Sequence, residues 1–324
     1  NTLNAIITEN TAREDWFKIG GVNDDFFVFD DFLADCAQAK RRFYLGHFCY
    51  GVHRHIPGDA VYFTNIRHPV PRLLSGYYGW RKSPDQDVRD YLQDHWEFDN
   101  GITKRLCGIG PREPESAVYD FAENLPLNSA PVVNAEMFAR AEARMKTEMA
   151  FVFVQEIFVE SLVLFENRFG LPPLFSFSRA HWNQTEQQTV HRPDPALDAW
   201  ILAQNPYDLA LYEQARETLA AEIAALGEDQ QRRIAVRKIL DQMLRVPGQS
   251  FLASDAIKNA ITGGLERLLN ANRVRDFLDV ICLMAAYPDL PPGFGDILIQ
   301  WTIKFGSTED AQRIKAVRAG EVTP

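Results

Sequence analysis

The run Val61-Tyr62-Phe63-Thr64-Asn65-Ile66 constrains this chain most: it is β-branched and aromatic, and it ends abruptly at Arg67-His68-Pro69, which cannot continue a central strand. A helix is predicted to follow from near Pro71, with the proline in its favoured first turn, through Leu73, Leu74, Tyr77 and Tyr78. The same order recurs later. Phe151-Val152-Phe153-Val154 reads as a buried strand, and Ser161 to Phe169 reads as a helix ended by Gly170. Phe26 to Phe29 is a further short apolar run, and Lys40 to Leu45 leads into Gly46-His47. Asn1 to Asn10 has helical spacing in Leu3, Ile6 and Ile7. Strands alternating with helices over the first two hundred or so residues imply an α/β fold with a parallel sheet flanked by helices on both faces. Ligands in such sheets bind beyond the carboxyl ends of strands, where Arg67 stands.

From about Ala196 onward the strand signal vanishes. Helical periodicity marks Leu197 to Leu202, Leu209 to Leu226, Ile234 to Leu244, Ile257 to Leu269, Val274 to Ala286, Ile297 to Phe305 and Ala311 to Val317. The expected organisation is an α/β domain over residues 1–226 and an all-helical appendage over 227–324. The appendage is expected to serve oligomerisation or the positioning of a substrate.

No stretch approaches the roughly eighteen consecutive apolar residues of a membrane span. Cys36, Cys49, Cys107 and Cys282 show neither CxxC nor zinc spacing, so free thiols in a reducing, cytoplasmic compartment are expected. The net charge of −10 argues against a protein that coats nucleic acid. Its distribution is uneven. Lys40 to Lys82 holds eight basic residues against the single acid Asp59, hence +7, together with His47, His53, His55 and His68. A local cationic island in an acidic chain suits a small polyanionic ligand, and a solvated basic face is the plain alternative.

An arginine at a strand end and a serine eight residues on, in the next helix, are able to converge on one phosphate: Arg67 offers a planar fork and Ser75 a rotatable donor. The stretch Val61 to Tyr78 resembles the 3′-phosphate-binding strand, loop and helix of sulfotransferases that use 3′-phosphoadenosine 5′-phosphosulfate (PAPS), with the pattern R-D-P-x-x-R-x-x-S-x-Y of the glycan 2-O-sulfotransferase-like branch and its bacterial relatives. His68 replaces the aspartate. Gly46-His47 to His55 is similar to that family's catalytic-histidine segment. Asp99-Asn100-Gly101-Ile102-Thr103-Lys104-Arg105-Leu106-Cys107-Gly108 is similar to its D-N-x-x-T-R-x-L-x-G element, and Phe151 to Leu171 to its strand and E-S-L-x-L helix. Trp182 to Pro193 and Asn205 to Leu219 resemble its late cofactor loop and its N-x-x-D-x-x-L-Y helix.

The resemblance implies a P-loop-like core that transfers a sulfuryl group from PAPS to an acceptor hydroxyl, on a carbohydrate or another molecule, and releases 3′-phosphoadenosine 5′-phosphate (PAP), with no metal required. It implies Arg67 and Ser75 at the 3′-phosphate, Thr2 at the end of the 5′-phosphosulfate loop, Thr185 in the late cofactor loop, and His47 as the base. His53 and His55 would line the acceptor site or support the fold. Arg72, on another helical face, reads equally as half of a structural ion pair. The family's P-K-x-x-x-T loop would lie upstream of Asn1-Thr2 together with its strand, which also admits a lumenal fragment of a membrane-anchored enzyme. A non-catalytic nucleotide-binding or scaffold protein is the alternative. An ATP-dependent kinase ranks last, since no G-x-x-x-x-G-K-[ST] is present.

Overall fold

The computed structural model describes residues 2–19, 29–38, 41–46, 49–80, 83, 85–94, 98–108, 132–174, 194–243, 254–286, 293–322 and 324. In chain order the elements are α1 (Thr2–Asn10), β1 (Trp16–Ile19), α2 (Phe29–Gln38), β2 (Phe43–Gly46), β3 (Tyr62–Ile66), α3 (Pro69–Trp80), α4 (Val88–Gln93), α5 (Gly101–Leu106), α6 (Ala135–Thr147), β4 (Met149–Val154) and α7 (Phe158–Phe169). Seven helices follow: α8 (Pro195–Gln204), α9 (Pro206–Ala224), α10 (Glu228–Met243), α11 (Ser254–Asn270), α12 (Val274–Ala285), α13 (Phe294–Phe305) and α14 (Thr308–Arg318).

The chain forms two compact units that interleave along the sequence. One comprises Asn1–Asn10, Ile157–Thr189 and Ala221–Pro324; the other comprises Thr11–Glu156 and Val190–Ala220. Residue 227 lies inside the first.

The second unit has the α/β character. Its strands are parallel, as strand–helix alternation requires, but among the described residues they stand as two pairs rather than as one broad sheet. β1 pairs with β2 from Trp16 opposite Phe43 to Ile19 opposite Gly46, and β3 pairs with β4 from Phe63 opposite Phe151 to Ile66 opposite Val154. Of the apolar run Phe26 to Phe29, the first three residues lie outside the described residues, and Phe29 opens α2. Helix α3 begins at Pro69, two residues before the expected start. Both prolines thus fall in the first turn, where a missing N–H costs no intrahelical hydrogen bond. Val70, Leu73, Leu74 and Tyr77 form its buried face, and the first three pack with Leu92, Phe98, Leu197 and Ile201.

The first unit is helical. Every helix expected after Ala196 is present, with ends shifted by three residues or fewer except at α10, which starts six residues before Ile234. Helices α10 to α14 share a core that includes Ile261, Leu265, Phe277, Val280, Met284, Phe294 and Leu298. Gly170 ends α7 in the left-handed region at φ 60, and its N–H bonds back to Asn167. Within this unit α7 is tied to α10 by charge. The buried Glu166 carboxylate accepts from Arg237 at 2.7 Å, from Arg233 at 2.8 Å and from the Leu174 N–H at 2.7 Å. Burial pushes the Glu166 carboxyl above its usual range, and these three donors, with Arg237 first, oppose that shift.

A buried pair is costly to break, because the remaining charge is stranded away from water. Glu166→Ala is therefore expected to lower unfolding free energy by about 3–5 kcal/mol. Glu166→Leu combined with Arg237→Met should lose much less than the two single variants together. Urea denaturation checks both, and an additive double variant would contradict the charge-pair account.

Candidate anion-binding site

The β3–β4 pairing sets the geometry of the strand ends. Ile66 lies opposite Val154, so Arg67 and His68 leave β3 beside Gln155 and Glu156 leaving β4. Asn65 Nδ2 donates to Gln155 Oε1 at 2.7 Å, and the His68 backbone N–H donates to Glu156 Oε1 at 3.0 Å. The His68 ring packs edge-on against Tyr212 with centroids 5.3 Å apart, and the Tyr212 hydroxyl also bonds to Glu156. His68 therefore serves the loop through its main chain and its ring face.

Arg67 stands where the sequence places it, half-buried just past the carboxyl end of β3. Among the described residues its guanidinium makes no hydrogen bond or ion pair. Burial lowers its pKa from the ordinary arginine value, and the charge of Glu156 partly restores it. A desolvated cation without a bonded counter-charge is unfavourable unless an anion supplies one. Ser75 lies on the exposed side of α3, away from the Val70–Leu73–Leu74–Tyr77 face.

Three of the island's eight basic residues are neutralised by its own fold. Arg41 pairs with Asp35 at 2.5 Å, Arg42 with Asp15 at 3.5 Å, and Arg72 with Asp208 at 3.1 Å. Lys40, Arg81 and Lys82 lie outside the described residues. That leaves Arg54 and Arg67 as the described arginines of the window without an ion pair to a described acid.

The D-N-x-x-T-K-R and N-x-x-D segments meet in a buried polar junction. Asn100, left-handed at φ 50, precedes α5, and its Oδ1 accepts from the N–H groups of Tyr207 at 2.9 Å and Asp208 at 3.1 Å in the first turn of α9. Asp208 returns the cap. Its carboxylate accepts from the Ile102 N–H at 2.9 Å, the Thr103 N–H at 2.8 Å and the Thr103 hydroxyl at 2.9 Å in the first turn of α5. Each helix start thus caps the other. Asn205 Oδ1 accepts from the Asn100 N–H at 3.1 Å, and Arg72 supplies the charge opposite Asp208. Burial pushes the Asp208 carboxyl up, with Arg72 the foremost opposing influence. Buried Lys104 lies 3.5 Å from Asp99, and burial pushes its ammonium pKa down. Asp208 is the aspartate of the N-x-x-D-x-x-L-Y pattern, to which sequence reasoning assigned no role; a further signal was an Asn immediately before each helix, at Asn100-Gly101 and Asn205-Pro206.

His47 and Thr185 lie outside the described residues, and Thr2 opens α1 with no description of its side chain. All four cysteines are free and buried. Among the described residues no helix is long and apolar enough to cross a membrane. Comparison with protein-family models, curated proteins and solved structures finds no match.

Asp208→Asn removes the charge opposite Arg72 and turns one acceptor into a donor facing backbone N–H groups. A loss of about 3–5 kcal/mol is expected in chemical denaturation, against about 1–2 kcal/mol for Asn100→Ala. Equal, small losses would show that the junction is not carried by the carboxylate.

Proposed function

We propose that the chain is a PAPS-dependent O-sulfotransferase with a P-loop-like α/β core, acting on a hydroxyl of a carbohydrate. The observation that carries this reading is Arg67: a half-buried guanidinium, unbonded among the described residues, at the carboxyl end of a parallel strand, in the sequence context R-H-P-x-x-R-x-x-S-x-Y. PAPS supplies the sulfuryl group and leaves as PAP. Arg67 and Ser75 hold the 3′-phosphate, Thr2 belongs to the 5′-phosphosulfate loop and Thr185 to the late cofactor loop. His47 takes the proton of the acceptor hydroxyl, a task suited to imidazole because its pKa lies near working pH. Cationic and N–H donors stabilise the charge that spreads over the transferring group, as in phosphoryl transfer. The scheme calls for no metal.

A second reading, a non-catalytic nucleotide-binding or scaffold protein, is favoured by one feature. The Glu156 carboxylate already occupies the His68 N–H beside Arg67, where a phosphate would otherwise find a donor. The two readings differ in what Glu156 does to an arriving anion and in whether His47 matters.

PAP is expected to raise the melting temperature well above the effect of AMP, because the 3′-phosphate is read by Arg67 and Ser75. Arg67→Ala should remove most of that difference, since a hydrogen bond to a charged group is worth about 1.5–3 kcal/mol. Equal shifts from the two nucleotides would refute the assignment. Glu156→Gln should strengthen PAP binding by removing a like charge, and weaker binding would show that the carboxylate organises the loop instead.

With labelled PAPS and a panel of oligosaccharides, His47→Ala should slow transfer by at least about a hundredfold while PAP affinity stays nearly unchanged. Undiminished turnover would dismiss His47 as the base. Absence of turnover in the unaltered protein, with PAP still bound, would favour the scaffold reading.

A further inference from the structure

A second cluster lies at the opposite end of β3. Tyr62 opens the strand five residues before Arg67, roughly 16 Å away at the usual rise per residue. Its hydroxyl oxygen accepts from the Gly51 N–H at 3.0 Å and the His53 N–H at 3.1 Å. A phenol oxygen has two lone pairs and one proton, so both of its acceptor positions are taken. The third partner, His53 Nδ1 at 2.7 Å, therefore receives the hydroxyl proton. Nδ1 is an acceptor, and the proton of the neutral ring resides on Nε2.

The surroundings reinforce this state. Tyr62 stacks on Tyr50 at 5.1 Å, the Tyr50 hydroxyl is bonded to Glu148, and the Arg144 guanidinium lies 4.0 Å from the centre of the Tyr50 ring. Burial and Glu148 push Tyr50 up to about 12, so it stays protonated. The charged and titratable groups that bear on His53 are Arg54, Glu148, Arg144 and His55. Burial first, then Arg54, lowers the pKa of His53 below the ordinary imidazole value, with Glu148 opposing. Protonating Nδ1 would also aim an N–H at an oxygen with no lone pair to offer.

We propose that Tyr62 holds His53 as a neutral Nε2–H imidazole, and that this fixed donor, with Arg54 beside it, binds a tetrahedral oxyanion. A ring locked in this tautomer has no free lone pair and cannot serve as a general base. It offers one N–H to an acceptor oxygen; Arg144, 4.0 Å from Glu148, offsets that carboxylate, so Arg54, which has no ion pair to a described acid, supplies the net positive charge that selects an anion. The inference rests on the Tyr62 hydrogen bonds and stands apart from the nucleotide reading at Arg67.

Long-range ¹H–¹⁵N correlation spectra of ¹⁵N-histidine-labelled protein test it. His53 should show the Nε2–H pattern at neutral pH, and inorganic sulfate should shift its Nε2 resonance. A protonated Nδ1 or a charged ring at neutral pH would overturn the lock. A resonance indifferent to sulfate would overturn the oxyanion site. Tyr62→Phe should mix the tautomers and raise the midpoint toward the ordinary histidine value. His53→Gln, which keeps a donor near the Nε2 position, should retain sulfate binding by calorimetry, and His53→Ala should lose it. These outcomes are read separately from the PAP-induced thermal shift, so failure here is distinguishable from failure of the nucleotide reading.

Discussion

A carboxylate with no access to water, Asp208, joins three segments that are distant in sequence. It caps the start of α5, opens α9 and faces Arg72 from α3. Without it the buried N–H groups of Ile102 and Thr103 lose their acceptor and Arg72 loses the charge opposite it, and an unsatisfied buried donor is penalised more than a satisfied one is rewarded. Asn100 performs the converse cap on α9. The consequence reaches the candidate site through α3. That helix carries Ser75 and follows directly from Arg67, so fixing it at Arg72 also fixes the loop between strand and helix.

The β3–β4 pair provides the second constraint. Parallel register from Phe63–Phe151 to Ile66–Val154 leaves both strands ending at the same level, and the residues beyond them become neighbours. Arg67 thereby gains Glu156 as an electrostatic neighbour without gaining it as a hydrogen-bond partner. The carboxylate is spent on the His68 N–H and the Tyr212 hydroxyl. A partly desolvated cation with no bonded counter-charge among the described residues would gain from an anion, and the same carboxylate would repel one.

Much of the architecture was legible because it is written in local periodicity. The helices from Ala196 onward, the strands at 62–66 and 149–154, and the Gly170 stop need only near neighbours in sequence to be recognised. β1, α2 and α6 were not read. Trp16–Ile19 is four residues long with a lysine inside it, and α6 carries a polar sequence whose buried Met137, Ala141 and Met145 form a narrow stripe. The grouping of the chain was equally hidden. Glu166 gives no sign in sequence that its counter-charges are Arg233 and Arg237. Long-range pairing of that kind is decided by tertiary packing, on which periodicity is silent.

Charge counting shows where sequence reading of a site reaches its end. The excess of +7 between Lys40 and Lys82 predicts a strong local field, yet Arg41, Arg42 and Arg72 meet Asp35, Asp15 and Asp208, all three of which lie outside that window. A paired surface cation contributes little to attracting a ligand, because its field is cancelled within a few ångströms and screened beyond about 10 Å at 0.1 M salt. What attracts an anion is a charge that the fold leaves uncompensated, and the number of such charges is not the number of arginines. Among the described residues Arg67 and Arg54 are the arginines of that window without an ion pair, the first just past the end of β3 and the second close to its start, beside a histidine whose Nδ1 faces the Tyr62 hydroxyl.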